Sequence, residues 1–297
     1  MKFFLAPMQG LTGYIVRNAF HHHFDYIDKY YTPFIPAAKR MNAKIKRDID
    51  PVNNDGITLI PQAMSIVADE VIDLHRQLVP YGYDEINVNL GCPSGTVVSK
   101  KRGSGILAYP DMLDSFLDEL YTKADFPVSI KTRVGFNDDE LWPKLIEIYS
   151  KYPISELTVH PRVQKDFYKN TPRMDDFALA VQKINPDKTI LCYNGDITNA
   201  NSFKALTDRF PDIDEIMIGR GLFANPALIT ELKGISMDKA ELCERLKNWH
   251  DAIFRMKEIW AYMHGLFSDS EKLWKKIKKC QTLNDYKSIV RMAFDAF

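Results

Sequence analysis

The stretch DEINVNLGCPSGTVVSKKRGSG, residues 84–105, decides the fold. Within it, Ile86 and Val88 alternate with two asparagines, which is the period-2 pattern of a strand with one polar face. The strand stops at Gly91-Cys92-Pro93, because glycine permits a turn and proline cannot donate a ladder hydrogen bond. The pattern therefore predicts a cysteine at the carboxyl end of a strand.

A basic, glycine-rich loop follows this cysteine. Lys100, Lys101 and Arg102 precede Gly103 and Gly105. Glycines let the backbone approach a ligand closely, and three adjacent cations attract an anionic polymer. The loop is therefore a candidate contact for nucleic acid.

The overall composition is that of an ordinary globular protein. Hydrophobic residues make up 45% of the 297, enough for one large α/β domain plus a small appendage. Lysine plus arginine and aspartate plus glutamate both number 39, so any attraction to nucleic acid must come from local patches. The amino-terminal apolar run is too short for a signal peptide or a membrane span. The four cysteines are far apart, which favours neither a disulfide framework nor a zinc site and fits a reducing cytoplasm.

Strand-like and helix-like segments alternate up to about residue 230, as in a parallel sheet built from βα units. Eight candidate strands lie at residues 3–7, 26–31, 58–62, 85–89, 128–133, 156–160, 189–194 and 215–219. Helices are predicted at residues 68–79, 111–123, 139–152, 175–183 and 199–209. This order favours a (β/α)8 TIM barrel over a doubly wound sheet and predicts a catalytic domain at residues 1–236.

Unusual polar residues fall at the carboxyl ends of the candidate strands, where barrels of this kind gather their active sites. These residues are Gln62, Asn89, Cys92, Lys131, Arg133, His160, Arg162, Asn194, Gly195, Asp196, Gly219 and Arg220. Lys131 and Arg133 alternate with uncharged neighbours, so their side chains are predicted to point toward the barrel axis. Charged groups there are costly to bury unless a ligand or another side chain satisfies them.

Two glycine-containing turns follow the last two strands. Asn194-Gly195-Asp196 and Gly219-Arg220-Gly221 lie where barrels often hold a phosphate on backbone amides. Arg220 adds a charged donor. Each turn alone is more commonly structural, and the pair leaves a phosphate site and simple turns open as alternatives.

Near residue 236 the pattern changes to helices alone, which predicts a small all-helical domain at residues 237–297. Asp238 and Glu241 have the spacing of a capping box, and one amphipathic helix is predicted from there to Gly265. Its periodic apolar residues are Leu242, Leu246, Trp249, Ile253, Met256 and Met263. Two shorter helices are predicted at residues 269–280 and 284–294.

Two basic groups are candidate contacts for RNA phosphates. One lies on the tail and contains Lys275, Lys276, Lys278 and Lys279. The other follows the second strand and contains Lys39, Arg40, Lys44, Lys46 and Arg47. A solvated lysine-rich helix face explains the tail group alone equally well, but the two groups together favour nucleic-acid binding.

Seven short motifs, in their order and spacing, resemble those of the tRNA-dihydrouridine synthases. They are Ala6-Pro7-Met8-Gln9-Gly10, Asn89-Leu90-Gly91-Cys92-Pro93, Gly103-Ser104-Gly105, Lys131-Thr132-Arg133, His160-Pro161-Arg162, Asn194-Gly195-Asp196 and Gly219-Arg220-Gly221. The resemblance covers nearly the whole chain, and the helical tail resembles the tRNA-recognition domain of the bacterial type. It implies an enzyme that binds FMN and uses NADPH to reduce the 5,6 double bond of particular uridines in tRNA.

The resemblance also implies roles for single residues. Cys92 would be the general acid that protonates C5 of the uracil, because an unpaired thiol is mostly protonated at neutral pH. Flavin ring and ribityl contacts would be Pro7, Met8, Gln9, Gln62, Lys131 and His160. Phosphate contacts would be Asn194, Gly195, Asp196, Gly219 and Arg220. Substrate contacts would be Asn89, Lys100, Lys101, Arg102, Arg133, Arg162, Lys275, Lys276, Lys278 and Lys279.

Two other interpretations stay open at the level of sequence. An FMN barrel acting on a free pyrimidine, similar to dihydroorotate or dihydropyrimidine dehydrogenases, would explain the flavin site but not the basic loop or the lysine-rich tail. A catalytically silent tRNA-binding barrel would take up no flavin. The run from His21 to His23 fits the end of a helix better than a metal site. We therefore expect tRNA as the partner and no membrane, structural metal or obligate protein partner.

Overall fold

The computed structural model describes residues 1–24, 26–37, 40–252 and 256–297. In these residues ten short strands form one sheet, and every neighbouring pair is parallel. The strands are β1 (Lys2–Leu5), β2 (Lys29–Tyr31), β3 (Ile35–Pro36), β4 (Leu59–Ile60), β5 (Gln62–Met64), β6 (Ile86–Leu90), β7 (Val128–Gly135), β8 (Glu156–Val163), β9 (Ile190–Tyr193) and β10 (Glu215–Ile218).

The ten strands occupy eight positions of a closed barrel. β2 pairs with β4 and β3 pairs with β5, while only Pro61 separates β4 from β5. β2 and β3 are therefore two parts of one barrel strand, interrupted near Pro33, and β4 and β5 are two parts of the next, interrupted at Pro61, since proline lacks the amide that a ladder needs. Because β2 and β4 lie at one end of the strand order while β3 and β5 lie at the other, these two interrupted strands close the sheet on itself. The predicted (β/α)8 barrel is confirmed.

Helices surround this sheet. Those between residues 14 and 232 are α1 (Tyr14–His23), α2 (Ala43–Ile49), α3 (Ala68–Leu78), α4 (Gly95–Val98), α5 (Pro110–Lys123), α6 (Trp142–Ser150), α7 (Met174–Lys183), α8 (Ala200–Arg209), α9 (Arg220–Ala224) and α10 (Leu228–Leu232). The five helices predicted between residues 68 and 209 all form, with ends within three residues of the prediction. The pattern does not predict α2, α4, α9 and α10, because helices of four to seven residues show almost no apolar period.

Side chains fill the interior of the barrel, so it is a packed core. A cluster of Phe4, Ala6, Tyr31, Ile60, Cys192 and Met217 occupies its centre. At the amino-terminal end, the buried carboxylate of Glu156 accepts hydrogen bonds from Tyr31 Oη and Lys29 Nζ, both at 2.7 Å. The charge is therefore compensated inside the barrel, as a buried carboxylate requires.

Strands β7 and β8 run further than predicted. They continue to pair with each other as far as Gly135 and Val163, with a register shift after Arg133. The prediction that these two strands end at Arg133 and His160 is therefore wrong. Both polar residues lie inside strands, which hold them more rigidly than loops would.

In the described residues of the tail there are four helices, namely α11 (Lys239–Ala252), α12 (Met256–Met263), α13 (Ser270–Lys279) and α14 (Leu283–Asp295). Asp238 Oδ1 accepts the amide of Glu241 at 2.8 Å, which is half of the predicted capping box. Ile253 of the predicted periodic set lies outside the described residues. The helical segment ends at Met263 and a 3-10 turn follows it, two residues before the predicted end. The two later helices form as predicted, and the domain boundary at residue 236 stays a prediction.

Aromatic side chains attach the tail to the barrel. The fully buried ring of Trp249 meets Phe20 of α1 edge-on, with centroids 5.2 Å apart. On α12, the Tyr262 ring lies 5.9 Å from Phe223 of α9. These contacts bring α12 to the rim at the carboxyl ends of the strands. Among the described helices, none has the length and apolarity that crossing a bilayer requires.

Candidate active site

A pocket of about 930 Å³ opens at the carboxyl ends of the strands. This volume is in the range of cofactor and ligand sites. Fourteen of the predicted site residues line it, namely Pro7, Met8, Gln9, Gln62, Asn89, Cys92, Lys131, Arg133, His160, Asn194, Gly195, Asp196, Gly219 and Arg220. Residues that are up to 213 positions apart in the chain therefore meet in one cavity, while the chemical roles predicted for them stay predictions.

A chain of side-chain amides holds the backbone at Cys92. Asn89 Oδ1 accepts the amide of Cys92 at 2.9 Å, and its Nδ2 donates to Gln62 Oε1 at 2.7 Å. Gln62 Nε2 in turn donates to Asn87 Oδ1 at 2.8 Å. Because each oxygen accepts and each nitrogen donates along this chain, the orientation of every amide is fixed. Asn89 thus positions the cysteine and leaves one amide hydrogen for a ligand.

The glycine-rich loop holds Cys92 from the other side. The amide and the hydroxyl of Ser104 both donate to the carbonyl oxygen of Cys92, at 3.1 and 2.8 Å. Gly103 lies at φ +56°, and a Cβ added to it would come within 2.7 Å of the same oxygen. Only glycine combines this backbone angle with so close an approach. The loop therefore belongs to the structural support of the cysteine.

The thiol of Cys92 is protonated at neutral pH. Its side chain is half-buried in the pocket wall, and this burial raises the pKa of the thiol above its ordinary value. The backbone amide of Ser94 and the charges of Arg133 and Lys131 oppose the rise without cancelling it. A neutral thiol in a pocket wall can donate a proton to a bound molecule.

Lys131 is a second titratable residue of the pocket lining. Its Nζ donates to Asn194 Oδ1 at 2.6 Å, and Asn194 Nδ2 donates to the carbonyl oxygen of Met217 at 2.7 Å. Burial and then the charge of Arg133 lower the pKa of Lys131 to about 7. An anion bound beside Nζ would favour the charged form of this lysine.

His160 is neutral and its tautomer is determined by its neighbour. Burial and then the charges of Arg133 and Lys131 lower the pKa of the imidazole well below its ordinary value. Nε2 lies 3.1 Å from Nη1 of Arg162, and a guanidinium can only donate, so Nε2 accepts. The ring proton is therefore on Nδ1, which makes His160 a neutral hydrogen-bond donor.

Arg162 supports the pocket from behind. It is only 1% exposed, and it donates to both oxygens of Asp196 and to the carbonyl oxygen of Asn170. Asp196 also accepts from Arg220 Nη2 at 2.7 Å. The structure thus gives Arg162 protein partners, and its predicted contact with RNA stays a prediction.

The pocket has an excess of positive charge. Lys131, Arg133 and Arg220 line it, whereas Asp196 is the only acidic residue among the described residues of its lining. Arg162 and Arg220 both form ion pairs with Asp196, so basic side chains outnumber this carboxylate. Such a wall favours an anionic ligand.

Two exposed aromatic residues in the loop after β8 are not predicted from sequence. Phe167 and Tyr168 line the pocket and are 45% and 49% exposed. The guanidinium carbons of Arg220 and Arg133 lie 4.7 and 5.5 Å from the centre of the Tyr168 ring. The signal in the sequence that could have identified them is a pair of adjacent aromatic residues in a polar, basic loop, since such a pair offers a stacking surface.

The predicted RNA contacts outside the pocket are mostly exposed. Lys100 and Lys101 are on the surface, whereas Arg102 is half-buried and pairs with Glu70 at 3.0 Å. All four tail lysines are exposed on α13. In the second basic group, the exposed members are Arg40, Lys44, Lys46 and Arg47, and Lys39 lies outside the described residues. In the part of the chain that is described, no cluster of three or more His, Cys, Asp or Glu side chains could hold a metal.

Two solved structures resemble the chain in fold. Morphinone reductase superposes with a TM-score of 0.55 at 11% identity, over 81% of this chain and 88% of that one. A variant of NCR from Zymomonas mobilis superposes with a TM-score of 0.54 at 11% identity, over 84% of this chain and 90% of that one. At such low identity the likeness shows the fold alone.

Curated relatives are more similar in sequence. The tRNA-dihydrouridine synthase B of Pasteurella multocida is 27% identical over 243 residues, which is 79% of this chain and 69% of the relative. A protein of Staphylococcus aureus named probable tRNA-dihydrouridine synthase is 27% identical over 237 residues, 75% of this chain and 69% of the relative. The family model described as dihydrouridine synthase (Dus) matches residues 4–294. The barrel of this chain also places the cysteine motif in a cationic pocket. Because the family match spans nearly the whole chain, the chain belongs to the dihydrouridine synthase family.

Proposed function

We propose that this protein reduces the 5,6 double bond of uridines in tRNA to dihydrouridine, with FMN as the bound cofactor and NADPH as the reductant. The observation that carries the proposal is the neutral thiol of Cys92, held from two sides in the wall of a cationic pocket. The family and the names of the relatives supply the substrate class.

The residues present fit an anionic flavin nucleotide. Gly195, Gly219 and Arg220 form one end of the pocket, where a phosphate would meet backbone and a guanidinium. Lys131 and His160 line the same cavity, and they would hold the polar edge of the flavin ring. A lysine with a pKa of about 7 gains its full charge beside an anion, so Lys131 would compensate a reduced, negatively charged ring.

The chemistry that FMN would supply here is hydride donation, with C6 of the uracil as the acceptor and NADPH as the source of electrons. Cys92 then gives its proton to C5, where negative charge develops, and the thiolate regains a proton from solvent. The raised pKa of Cys92 favours this reprotonation before the next turnover. Because the site lies in a barrel mouth, the target uridine must leave its stack to reach it.

Other residues of the pocket would receive the extruded base. Asn89 has one amide hydrogen left for a uracil oxygen, since its other hydrogen-bonding positions are used within the protein. Tyr168 offers an exposed ring for stacking. The exposed side chains of Lys100 and Lys101, together with the tail lysines, would contact the RNA backbone.

The test is reduction of unmodified tRNA by the purified protein. We expect a yellow protein whose flavin is FMN by chromatography, which NADPH reduces and which forms dihydrouridine, measured by mass spectrometry of tRNA digests. Cys92→Ala should keep the flavin and its reduction by NADPH but lose dihydrouridine formation by about 10²- to 10⁴-fold, the usual contribution of a general acid. Cys243→Ala on α11 is the matched control and should stay active.

Two outcomes would contradict the proposal. A colourless protein that converts no uridine in any tRNA would reject the function. Unchanged turnover by Cys92→Ala would remove the thiol from the mechanism.

A further inference from the structure

A second cavity, of about 530 Å³, lies beside the active-site pocket. The loop after β1, the break between β2 and β3, and helix α2 form its walls, and we name it the α2 groove. Gln9, Leu11 and Phe34 line both cavities, so the groove directly adjoins the active-site pocket. Nothing in the proposed reaction uses it.

The lining of the α2 groove is mostly apolar. Tyr14, Phe34 and Ile45 are half-buried on its walls, and Ile15 is 38% exposed. Leaving apolar surface in water costs about 25 cal/mol per Å², so a concave apolar surface that stays open is typical of a binding site. Two of these side chains are aromatic and suit the flat face of a base.

Positive charge lies at the edge of the groove. Lys44 and Arg47 are three residues apart on α2, so they share one helix face, and both are exposed. In the described part of the chain, neither side chain has a hydrogen bond or an ion pair. The one acidic lining residue is Asp48, which already accepts from the amide of Tyr14 at 2.7 Å and from buried Arg17 at 3.2 Å. The two cations at the edge therefore remain available for an anion.

We propose that the α2 groove binds the nucleotide next to the target uridine, with its base against the apolar lining and its phosphate on Lys44 and Arg47. The proposal rests on the proposed function, because a uridine extruded into the pocket leaves its neighbour unstacked at the shared wall. That neighbour brings both an apolar face and a phosphate, and the groove offers a partner for each.

The adenosine end of the reductant has similar chemistry but fits the position less well. A pyrophosphate and two riboses separate it from its nicotinamide, whereas the groove directly adjoins the pocket through Gln9, Leu11 and Phe34. An adjoining nucleotide in the same strand needs no such spacer. The α2 groove is thus a substrate subsite that lets the enzyme distinguish sequences around the target.

Charge reversal on α2 tests the phosphate contact. The double variant Lys44→Glu/Arg47→Glu should raise the KM for tRNA at least tenfold, with the flavin content and the KM for NADPH unchanged. Lys144→Glu/Lys204→Glu is the matched control, because both lysines are exposed on outer barrel helices and neither lines the groove. It should raise the KM for tRNA less than threefold. Equal effects of the double variant and the control, or a rise in the KM for NADPH alone, would overturn the proposal.

A double-mutant cycle tests the base contact. Transcripts carry an abasic nucleotide on either side of the mapped dihydrouridine, and Ile45→Trp fills the groove. We expect one abasic position to weaken binding to the wild type about tenfold, within the range for a stacked base. Ile45→Trp should weaken binding of the intact transcript by the same factor. The abasic transcript should bind this variant no more weakly than the intact transcript does. If the losses in affinity caused by Ile45→Trp and by the abasic nucleotide add independently at both flanking positions, the subsite is overturned. Dihydrouridine formation by the wild type shows that such a result does not come from failure of the proposed function.

Discussion

Replacing Gly103 by alanine should misplace the proton donor without disturbing the flavin site. Gly103 lies in the left-handed region, and its added Cβ would meet Cys92 O at 2.7 Å, Val97 Cγ1 at 2.9 Å and Cys92 Cβ at 3.0 Å. The first and third contacts belong to the cysteine itself. Because the loop is held to Cys92 through Ser104, either the loop or the cysteine has to shift.

The size of the effect follows from these contacts. An alanine in the left-handed region costs about 1–2 kcal/mol, and relief of the close contacts adds to it, so the free energy of unfolding should fall by about 2–3 kcal/mol. A displacement of a catalytic group by about 1 Å can cost about 10²-fold in rate. We therefore expect dihydrouridine formation to fall by about two orders of magnitude.

The assay separates the two halves of the reaction. NADPH-dependent reduction of the bound flavin should be unchanged, whereas single-turnover oxidation of the reduced enzyme by tRNA should slow. Gly95→Ala is the control in the same segment, because no atom lies within 4 Å of its added Cβ. If Gly103→Ala and Gly95→Ala are equally stable and equally active, the support assigned to this loop is refuted.

Three further predictions concern charge. The pKa of about 7 for Lys131 lies below that of an unfolded lysine, so the unfolded state binds more protons above pH 7, and stability should rise with pH from 7 to 10. Urea unfolding of the flavin-free protein should show that Lys131→Met lacks this slope, and equal slopes would contradict the assignment. NMR should find His160 neutral and protonated on Nδ1 down to pH 5.5. A titration midpoint near 6.5 would refute the conclusion that burial and neighbouring cations lower the pKa of this imidazole. Replacing the four tail lysines by glutamine should flatten the salt dependence of tRNA binding by about 0.9 per lost phosphate contact. Four lysines on the outer barrel helices serve as the control. If the tail variant has the same salt dependence as the wild type, the tail lysines do not contact RNA phosphates. The tail set is Lys275, Lys276, Lys278 and Lys279; the control set is Lys123, Lys144, Lys183 and Lys204.

Local patterns were sufficient to predict the barrel and much of the pocket. The alternation around Ile86 and Val88 predicts β6, and the glycine and proline around Cys92 predict its end, because both signals depend on adjacent residues. Side-chain parity predicts correctly that Lys131 and Arg133 face the cavity. Counting eight strands with helical crossovers favours a barrel, whereas its closure is seen only in the strand pairing.

Features that depend on distant partners could not be predicted in this way. The burial of Arg162 follows from Asp196, 34 residues later, and no local pattern contains that pairing. Phe167 and Tyr168 belong to a loop without periodicity, so their position at the pocket is decided by the tertiary fold. The α2 groove is formed by three separate segments and is visible only in three dimensions.

The pairing of β1 with β10 determines when this protein can finish folding. Lys2 and Glu215 are directly opposite in the ladder and share a hydrogen bond of 3.0 Å across 213 residues of sequence. During synthesis on the ribosome, β1 emerges first but has no partner on one side until β10 follows. Unpaired strand edges template aggregation, and long-range closure is slow. Any nascent or truncated chain that ends before β10 therefore exposes two open edges at once, those of β1 and β9, where other chains can add strands.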